Sequence, residues 1–237
     1  MQKAPRQRDH ALARTLTFWT EERSLTVMLI LLVLHLFVLT PGTFLGHAFR
    51  IVASLLLLLA MLAGFLALVR QRTLRWLGTF LVAGVISFRS AAFYGVAPWM
   101  TIGNILFTLL SLAALLYVVF RQVNQEGPVT AHRIRGAIAL YLLIAMLFAF
   151  LYGLLEALAP GAFNIPAAST GLPVARGETF YYFSIVTLTT VGFGDITAVH
   201  PFVRSLVMLE ALIGQLYPAI LIARLVTLQL ETRRSGK

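Results

Sequence analysis

The side chains that could act as nucleophiles, bases or metal ligands are few in this sequence, and none of them is paired at a useful spacing. There is no cysteine, which excludes disulfides, thiolate metal sites and a thiol nucleophile. The remaining candidates are His35, Asp195 and Glu210, and no His-Glu-x-x-His or Gly-x-Ser-x-Gly motif contains them. We therefore expect a protein that is not an enzyme, has no cofactor and takes no small-molecule substrate.

A different chemistry is available in the run Thr189–Asp195, where the useful atoms belong to the backbone. The run reads Thr-Thr-Val-Gly-Phe-Gly-Asp, with glycines at positions 192 and 194. Aiming successive carbonyl groups in one direction requires backbone angles that a residue with a Cβ resists and that glycine adopts freely. Glycine-rich turns are common, however, so the meaning of this run depends on the elements that hold it.

The composition indicates that those elements cross a membrane. Of 237 residues, 59% are hydrophobic and 12% are charged, whereas about a quarter of the residues in a soluble domain are charged. The apolar residues form long runs, and about twenty of them cross a hydrocarbon core as an α-helix. The net charge of +10 comes from basic residues that bracket these runs, which indicates topology in a lipid bilayer and not nucleic-acid binding. The predicted fold class is therefore all-α transmembrane.

Six membrane-spanning helices and one shorter helix are predicted. The spans cover residues 24–40, 49–69, 74–93, 101–120, 136–159 and 201–230, and the shorter helix covers residues 178–189. With the N-terminus in the cytoplasm, fourteen of the 19 Lys and Arg residues lie inside and four outside, with Arg224 within the last span. This excess agrees with the positive-inside rule. We therefore expect a multi-pass protein of the cell membrane with both termini in the cytoplasm.

The segment between the fifth and sixth spans cannot cross the bilayer as a regular helix. Residues 178–189 are too short to cross, and the glycine-containing run follows them directly. Irregular backbone at membrane depth is tolerated only where protein shields it or where it lines water. We therefore predict a re-entrant segment, which enters the membrane from the outside and returns to the same side.

This re-entrant segment resembles that of potassium channels. The run Thr190-Val191-Gly192-Phe193-Gly194-Asp195 is similar to the selectivity filter of that family, with phenylalanine in place of the commoner tyrosine. Residues 180–190 resemble the pore helix of the prokaryotic two-helix pore module, and the resemblance covers residues 136–230 in total. It implies a potassium-selective channel of a prokaryotic plasma membrane. Each chain has one such run, Thr189–Asp195, called the filter run below. Because a closed ring of carbonyl oxygens needs four filter runs, the resemblance also implies a homotetramer.

The resemblance also assigns roles to individual residues. The filter residues that would hold K⁺ are Thr190, Val191, Gly192, Phe193 and Gly194. The ligands would be the backbone carbonyls of the first four of these residues, together with the Thr190 hydroxyl. Asp195 would lie at the outer mouth, bonded to Tyr182 of the pore helix. We expect Thr189 and Glu210 to support the filter from behind.

The last span contains a carboxyl group and a potential hinge. Glu210 lies near mid-membrane, where a charge is costly, and two placements remain open. It could face the central cavity and concentrate cations, or turn back to bond Ser184 or Thr187, which we favour. Pro218 lacks the amide proton that would bond the Gly214 carbonyl, so we expect the helix to bend there. Gly214 also falls where the family has its hinge glycine, which makes this position a candidate gate hinge.

The predicted domains are a basic cytoplasmic N-terminus (1–23), a four-span domain (24–121), a connector (122–135), a pore domain (136–230) and a short tail (231–237). A voltage sensor needs several arginines at every third position in the fourth span, and residues 101–120 contain none. We therefore expect no steep voltage gating. Two alternative functions remain open, a non-selective cation channel and a subunit of a potassium uptake transporter, and the first four spans could serve mainly in assembly.

Overall fold

The residues described by the computed structural model are 25–39, 47–68, 72–94, 98–124, 131–165 and 175–235, and nearly all of them are helical. Helix α1 covers residues 25–39, and its last part, His35–Leu39, is π-helical. The other helices are α2 (His47–Leu68), α3 (Arg72–Tyr94), α4 (Pro98–Val123), α5 (Ala131–Leu158), α6 (Ala175–Leu188) and α7 (Pro201–Ser235). Strands β1 (Phe163–Asn164) and β2 (Thr197–Ala198) form a two-residue antiparallel pair that joins the loops on either side of α6 and the filter run.

The observed helices overlap the predicted spans and the predicted shorter helix, but several run further than expected, and α7 reaches Ser235, within the predicted tail. Helix α4 continues to Val123 and α5 begins at Ala131, so both enter the region predicted as a connector, residues 122–135. Hydropathy marks the part of a helix that lies in hydrocarbon, whereas the backbone hydrogen bonds decide where the helix ends. A helix whose first turns carry Arg133 and Arg135 can therefore project beyond the apolar layer.

Several of these helices are suited to a membrane. Within the described residues, three segments are long and apolar enough to cross one, namely Trp99–Val123, Arg133–Leu158 and Pro201–Arg224. Three shorter apolar stretches lie in the first three helices, at Leu25–Val38, Ile51–Phe65 and Trp76–Phe88. This is an all-helical membrane protein. The count of six spans stays a prediction.

Helix α5 lies between the first four helices and the segment formed by α6 and the filter run. It packs against α4 on one flank and against α6 on another. The larger hydrophobic core joins α5 to helices α1, α2 and α4 through buried side chains that include Met28, Phe65, Leu115 and Leu143. Because all of these are fully buried, helices α1, α2, α4 and α5 share one packed interior.

A second, aromatic core holds α6 in place. The Phe163 ring of β1 lies 4.9 Å from Phe180 of α6, and the Tyr152 ring of α5 lies 5.3 Å from Phe183 of α6, in edge-to-face arrangements. Such pairs contribute about 0.5–1.5 kcal/mol each beyond their burial. Helix α6 is therefore fixed along its length, which sets the position of the run that follows it.

Helix α7 packs against α6 and leaves an apolar face exposed. Its exposed side chains include Leu209, Leu212, Leu216 and Ile220. The helix continues through Pro218 to Ser235 without interruption. Pro218 therefore does not end the helix, and its role in a gate hinge stays a prediction.

Candidate functional site

The filter run begins where α6 ends and is held to the last turns of that helix. The amides of Val191 and Gly192 both donate to the carbonyl oxygen of Val186, at 3.0 and 3.3 Å. The Thr189 hydroxyl donates to the Ile185 carbonyl at 2.7 Å. The carbonyls of a helix C-terminus lack partners within the helix, and these donors supply them. The start of the run is therefore positioned by α6 itself.

Every second residue from 190 to 194 has a left-handed backbone. The φ angle is 59° at Thr190, 53° at Gly192 and 79° at Gly194. Alternation of left-handed and ordinary φ angles turns successive peptide groups so that their carbonyls can face one side, unlike those of a regular strand. The angle at Thr190 was not expected from its residue type, because a residue with a Cβ is strained there by about 1–3 kcal/mol. Such strain persists only where the surroundings impose it.

The two glycines are required by their backbone angles and not by a lack of space. A Cβ added to Gly192 or Gly194 would meet no atom within 4 Å. The neighbouring side chains are also open, since Val191 is 55% exposed and Phe193 is 69% exposed. The filter run thus lies on the surface of the single chain.

The outer end of the run is linked to α6 by Tyr182. The Tyr182 ring stacks on Phe193, with centroids 6.4 Å apart and planes within 6°. Its hydroxyl forms a hydrogen bond with the Asp195 carboxylate. Desolvation, followed by the hydrogen bond to Asp195 and the negative charge of that residue, raises the pKa of Tyr182. The hydroxyl therefore stays protonated and can donate to Asp195 at any ordinary pH.

The carboxyl group of Glu210 points at α6 and away from the exposed face of α7. Glu210 is fully buried. One of its oxygens is hydrogen-bonded to the Ser184 hydroxyl of α6, and the other accepts a bond of 2.6 Å from the Tyr152 hydroxyl of α5. Of the two placements considered for Glu210, the structure has the one against the pore helix. Its support of the filter stays a prediction.

The last residue of α6 is held from two directions. The Tyr141 hydroxyl of α5 donates to the Leu188 carbonyl at 3.0 Å. In α7, a Cβ added to Gly214 would lie 1.8 Å from the same oxygen. Gly214 therefore allows the backbone of α7 to pass directly against the end of α6. The sequence suggested a hinge at this position, and the structure adds close packing as a reason for glycine.

Three tyrosines in this region were not singled out from the sequence, although each hydroxyl has a partner. Besides Tyr141 and Tyr152, Tyr181 of α6 lies 3.3 Å from Nε2 of His35, whose Nδ1 lies 3.0 Å from the Ala53 carbonyl. A phenol within an apolar span needs a hydrogen-bond partner, and that need is the signal that could have identified them. The His35 contact joins α1 and α2 to the pore helix.

No group of three His, Asp or Glu residues is placed to hold a metal ion among the residues that the structure describes. The oxygens available to a cation near the filter run are therefore backbone carbonyls, threonine hydroxyls and the Asp195 carboxylate. Oxygen atoms of these kinds are ligands for hard cations.

A known protein family matches the part of the chain that contains this site. Residues 137–230 match the family described as "Ion channel", a range that begins in α5 and ends in α7. Protein LctB of Geobacillus stearothermophilus is 35% identical over 80 residues, which are 33% of this chain and 59% of LctB. The chain thus spans 59% of the length of this curated relative. No solved structure gives a significant match.

Proposed function

We infer that this chain, whose residues 137–230 match the ion channel family, is one subunit of a potassium-selective channel that conducts K⁺ passively. The observation that carries this inference is the left-handed backbone at Thr190, Gly192 and Gly194, in a run that reads Thr-Thr-Val-Gly-Phe-Gly-Asp. A turn that merely reverses the chain needs no such alternation over five residues. A row of carbonyl ligands does need it.

The mechanism is replacement of the hydration shell of the ion. A K⁺ ion leaves water only if other oxygens surround it, and rings of carbonyls from four chains can provide them. The residues proposed to supply these carbonyls are Thr190, Val191, Gly192 and Phe193, and the Thr190 hydroxyl would add the innermost ring. The Asp195 carboxylate at the outer mouth would raise the local concentration of cations.

A homotetramer is the assembly that this mechanism requires. Each chain has one filter run, so a closed ring needs four chains around a cyclic axis. The exposure of Val191 and Phe193 supports this proposal, as does the exposed apolar face of α7. In the tetramer, part of that face would contact neighbouring copies and part would line the cavity below the filter.

We propose that the tetramer lies in the cell membrane, with six spans per chain and both termini in the cytoplasm. The distribution of Lys and Arg along the sequence supports this topology. Gating by voltage should be weak, because residues 101–120 of α4 carry no arginine. Gly214 and Pro218 remain the candidate positions for movement of α7.

The proposal can be tested with the full-length protein reconstituted in liposomes loaded with KCl. We expect K⁺ efflux well above Na⁺ flux, and we expect Gly192→Ala to abolish it, because alanine is strained at a φ of 53°. Gly161→Ala is the matched control. Gly161 also has a positive φ, 88°, with nothing within 4 Å of an added Cβ, but it lies outside the filter run.

Two results would favour other functions. Equal fluxes of K⁺ and Na⁺ would indicate a non-selective cation channel, which is the second candidate function. Phe193 favours this candidate, because its ring has no hydroxyl group to tether the filter. An absence of passive flux from a monomeric protein would instead favour a transporter subunit. Loss of flux with Gly161→Ala as well would show that the Gly192 result is a general folding effect.

A further inference from the structure

Glu210 has an unusual environment for an acidic side chain. It is fully buried in α7, and its hydrogen-bond partners are the hydroxyls of Tyr152 and Ser184. The titratable groups that face it are Tyr152 and Tyr141, both from α5. Within the described residues, no Lys, Arg or His is among the groups that interact with it. A buried carboxylate without a cation is costly, above all at membrane depth.

The hydrogen bonds of Ser184 determine where the protons are. Its Oγ makes two short contacts with oxygen, one with the Ala145 carbonyl at 2.7 Å and one with the Glu210 carboxyl group. Two full hydrogen bonds need a proton in each contact, and a serine hydroxyl has only one, which it would otherwise have to share between two acceptors in a weaker three-centre bond. The Ala145 carbonyl has no proton to offer, so the second proton must come from Glu210.

A protonated Glu210 satisfies every group in this cluster. Tyr152 donates to one carboxyl oxygen, the protonated oxygen donates to Ser184, and Ser184 donates to Ala145. An ionised Glu210 would draw the Ser184 proton to itself. The 2.7 Å contact between Ser184 and the Ala145 carbonyl would then bring two oxygens together with no proton between them.

We propose that Glu210 carries a proton, and that its neutral carboxyl group joins α5, α6 and α7 behind the filter. Ser184 lies one helical turn before Leu188, the last residue of α6, so the cluster fixes the pore helix close to the filter run. Glu210 is thus a positioning residue. Its effect on conduction rests on the proposed function, whereas the presence of the proton does not.

Infrared difference spectroscopy of the full-length protein tests the proton directly. The spectrum of the parent minus that of Glu210→Gln should show the carbonyl band of a protonated carboxylic acid. Glu156→Gln is the matched control, because the Glu156 carboxyl oxygens accept bonds from the amides of Gly161 and Phe163, at 3.0 and 3.3 Å, and need no proton. That substitution should remove carboxylate bands instead. Carboxylate bands in the Glu210→Gln difference would overturn the proposal.

Flux and assembly measurements test the positioning role. Glutamine can accept from Tyr152 and donate to Ser184, so Glu210→Gln should form tetramers with K⁺ flux within about threefold of the parent. Glu210→Ala removes both buried hydrogen bonds and should lower the flux about tenfold or more. Equal losses in Glu210→Gln and Glu210→Ala would contradict the role of a neutral carboxyl group. If the parent itself conducts no ions, the proposed function fails, and the infrared result still shows whether Glu210 carries a proton.

Discussion

For the substitution Gly214→Ala, two views of the role of this glycine predict opposite changes in the stability of the protein. If Gly214 serves only as a flexible point in α7, alanine should stabilise the helix, because alanine is favoured over glycine in a helix interior by about 1 kcal/mol. If it serves the close approach of α7 to α6, the added methyl group must destabilise the protein.

The structure supports the second view, in which Gly214→Ala destabilises the protein. The Cβ of Gly214→Ala would lie 1.8 Å from the Leu188 oxygen, where ordinary contacts begin at 3.4 Å, so the two helices must separate by about 1.6 Å at this point. The obstacle is a backbone carbonyl, which cannot rotate away as a side chain can, and the Tyr141 hydroxyl holds it at 3.0 Å. Overpacking costs about 1–3 kcal/mol in cores. We expect a net loss of this order and reduced K⁺ selectivity, because Leu188 directly precedes the filter run.

The assay is thermal unfolding of the detergent-solubilised protein, followed by measurement of K⁺ and Na⁺ flux in liposomes. Gly153→Ala in α5 is the matched control, because a Cβ there would lie 3.8 Å from Phe180, an ordinary contact. It should raise stability by up to about 1 kcal/mol. A Gly214→Ala protein that unfolds at a higher temperature than the parent and keeps its selectivity would refute the close-packing role.

Two further contacts allow predictions to be made. Tyr182→Phe keeps the stacking on the filter but loses the hydrogen bond to Asp195, so we expect a loss of about 1 kcal/mol in stability and a faster decline of K⁺ flux; an unchanged time course would contradict this role. His35→Phe and Tyr181→Phe each remove the hydrogen bond between α1 and α6. In a double-mutant cycle, their effects on thermal stability should be coupled by about 0.5–1.5 kcal/mol, and strictly additive effects would show that the contact carries no energy.

The positions of the helices and the left-handed backbone at the two glycines of the filter run could be predicted because their signals are local. A run of apolar residues marks a helix in hydrocarbon wherever its partners lie. The glycines at 192 and 194 likewise indicate left-handed backbone without knowledge of the surroundings, and both have it. The helix ends near the connector were less accurate, because a helix that leaves the apolar layer gives no hydropathy signal.

Apart from the contact between Glu210 and Ser184, which was expected, the contacts behind the filter run could not be predicted in the same way, because they join residues far apart in the chain. Tyr152 and Glu210 are 58 positions apart, and His35 and Tyr181 are 146 apart. Such pairs depend on the rotation and crossing of whole helices, which apolar runs do not specify. The close-packing role of Gly214 could not be predicted for the same reason. A hinge can be suggested from the sequence of one helix, whereas a close approach depends on how two helices pack.

The most direct test of the central claim is the reversal potential of the reconstituted full-length protein in a planar bilayer, with KCl on one side and NaCl on the other. Selection by a ring of carbonyls predicts a reversal potential displaced strongly in the direction set by K⁺ diffusion, and loss of that current with Gly192→Ala. A cation current that reverses near zero would contradict potassium selectivity and leave a non-selective cation channel in its place.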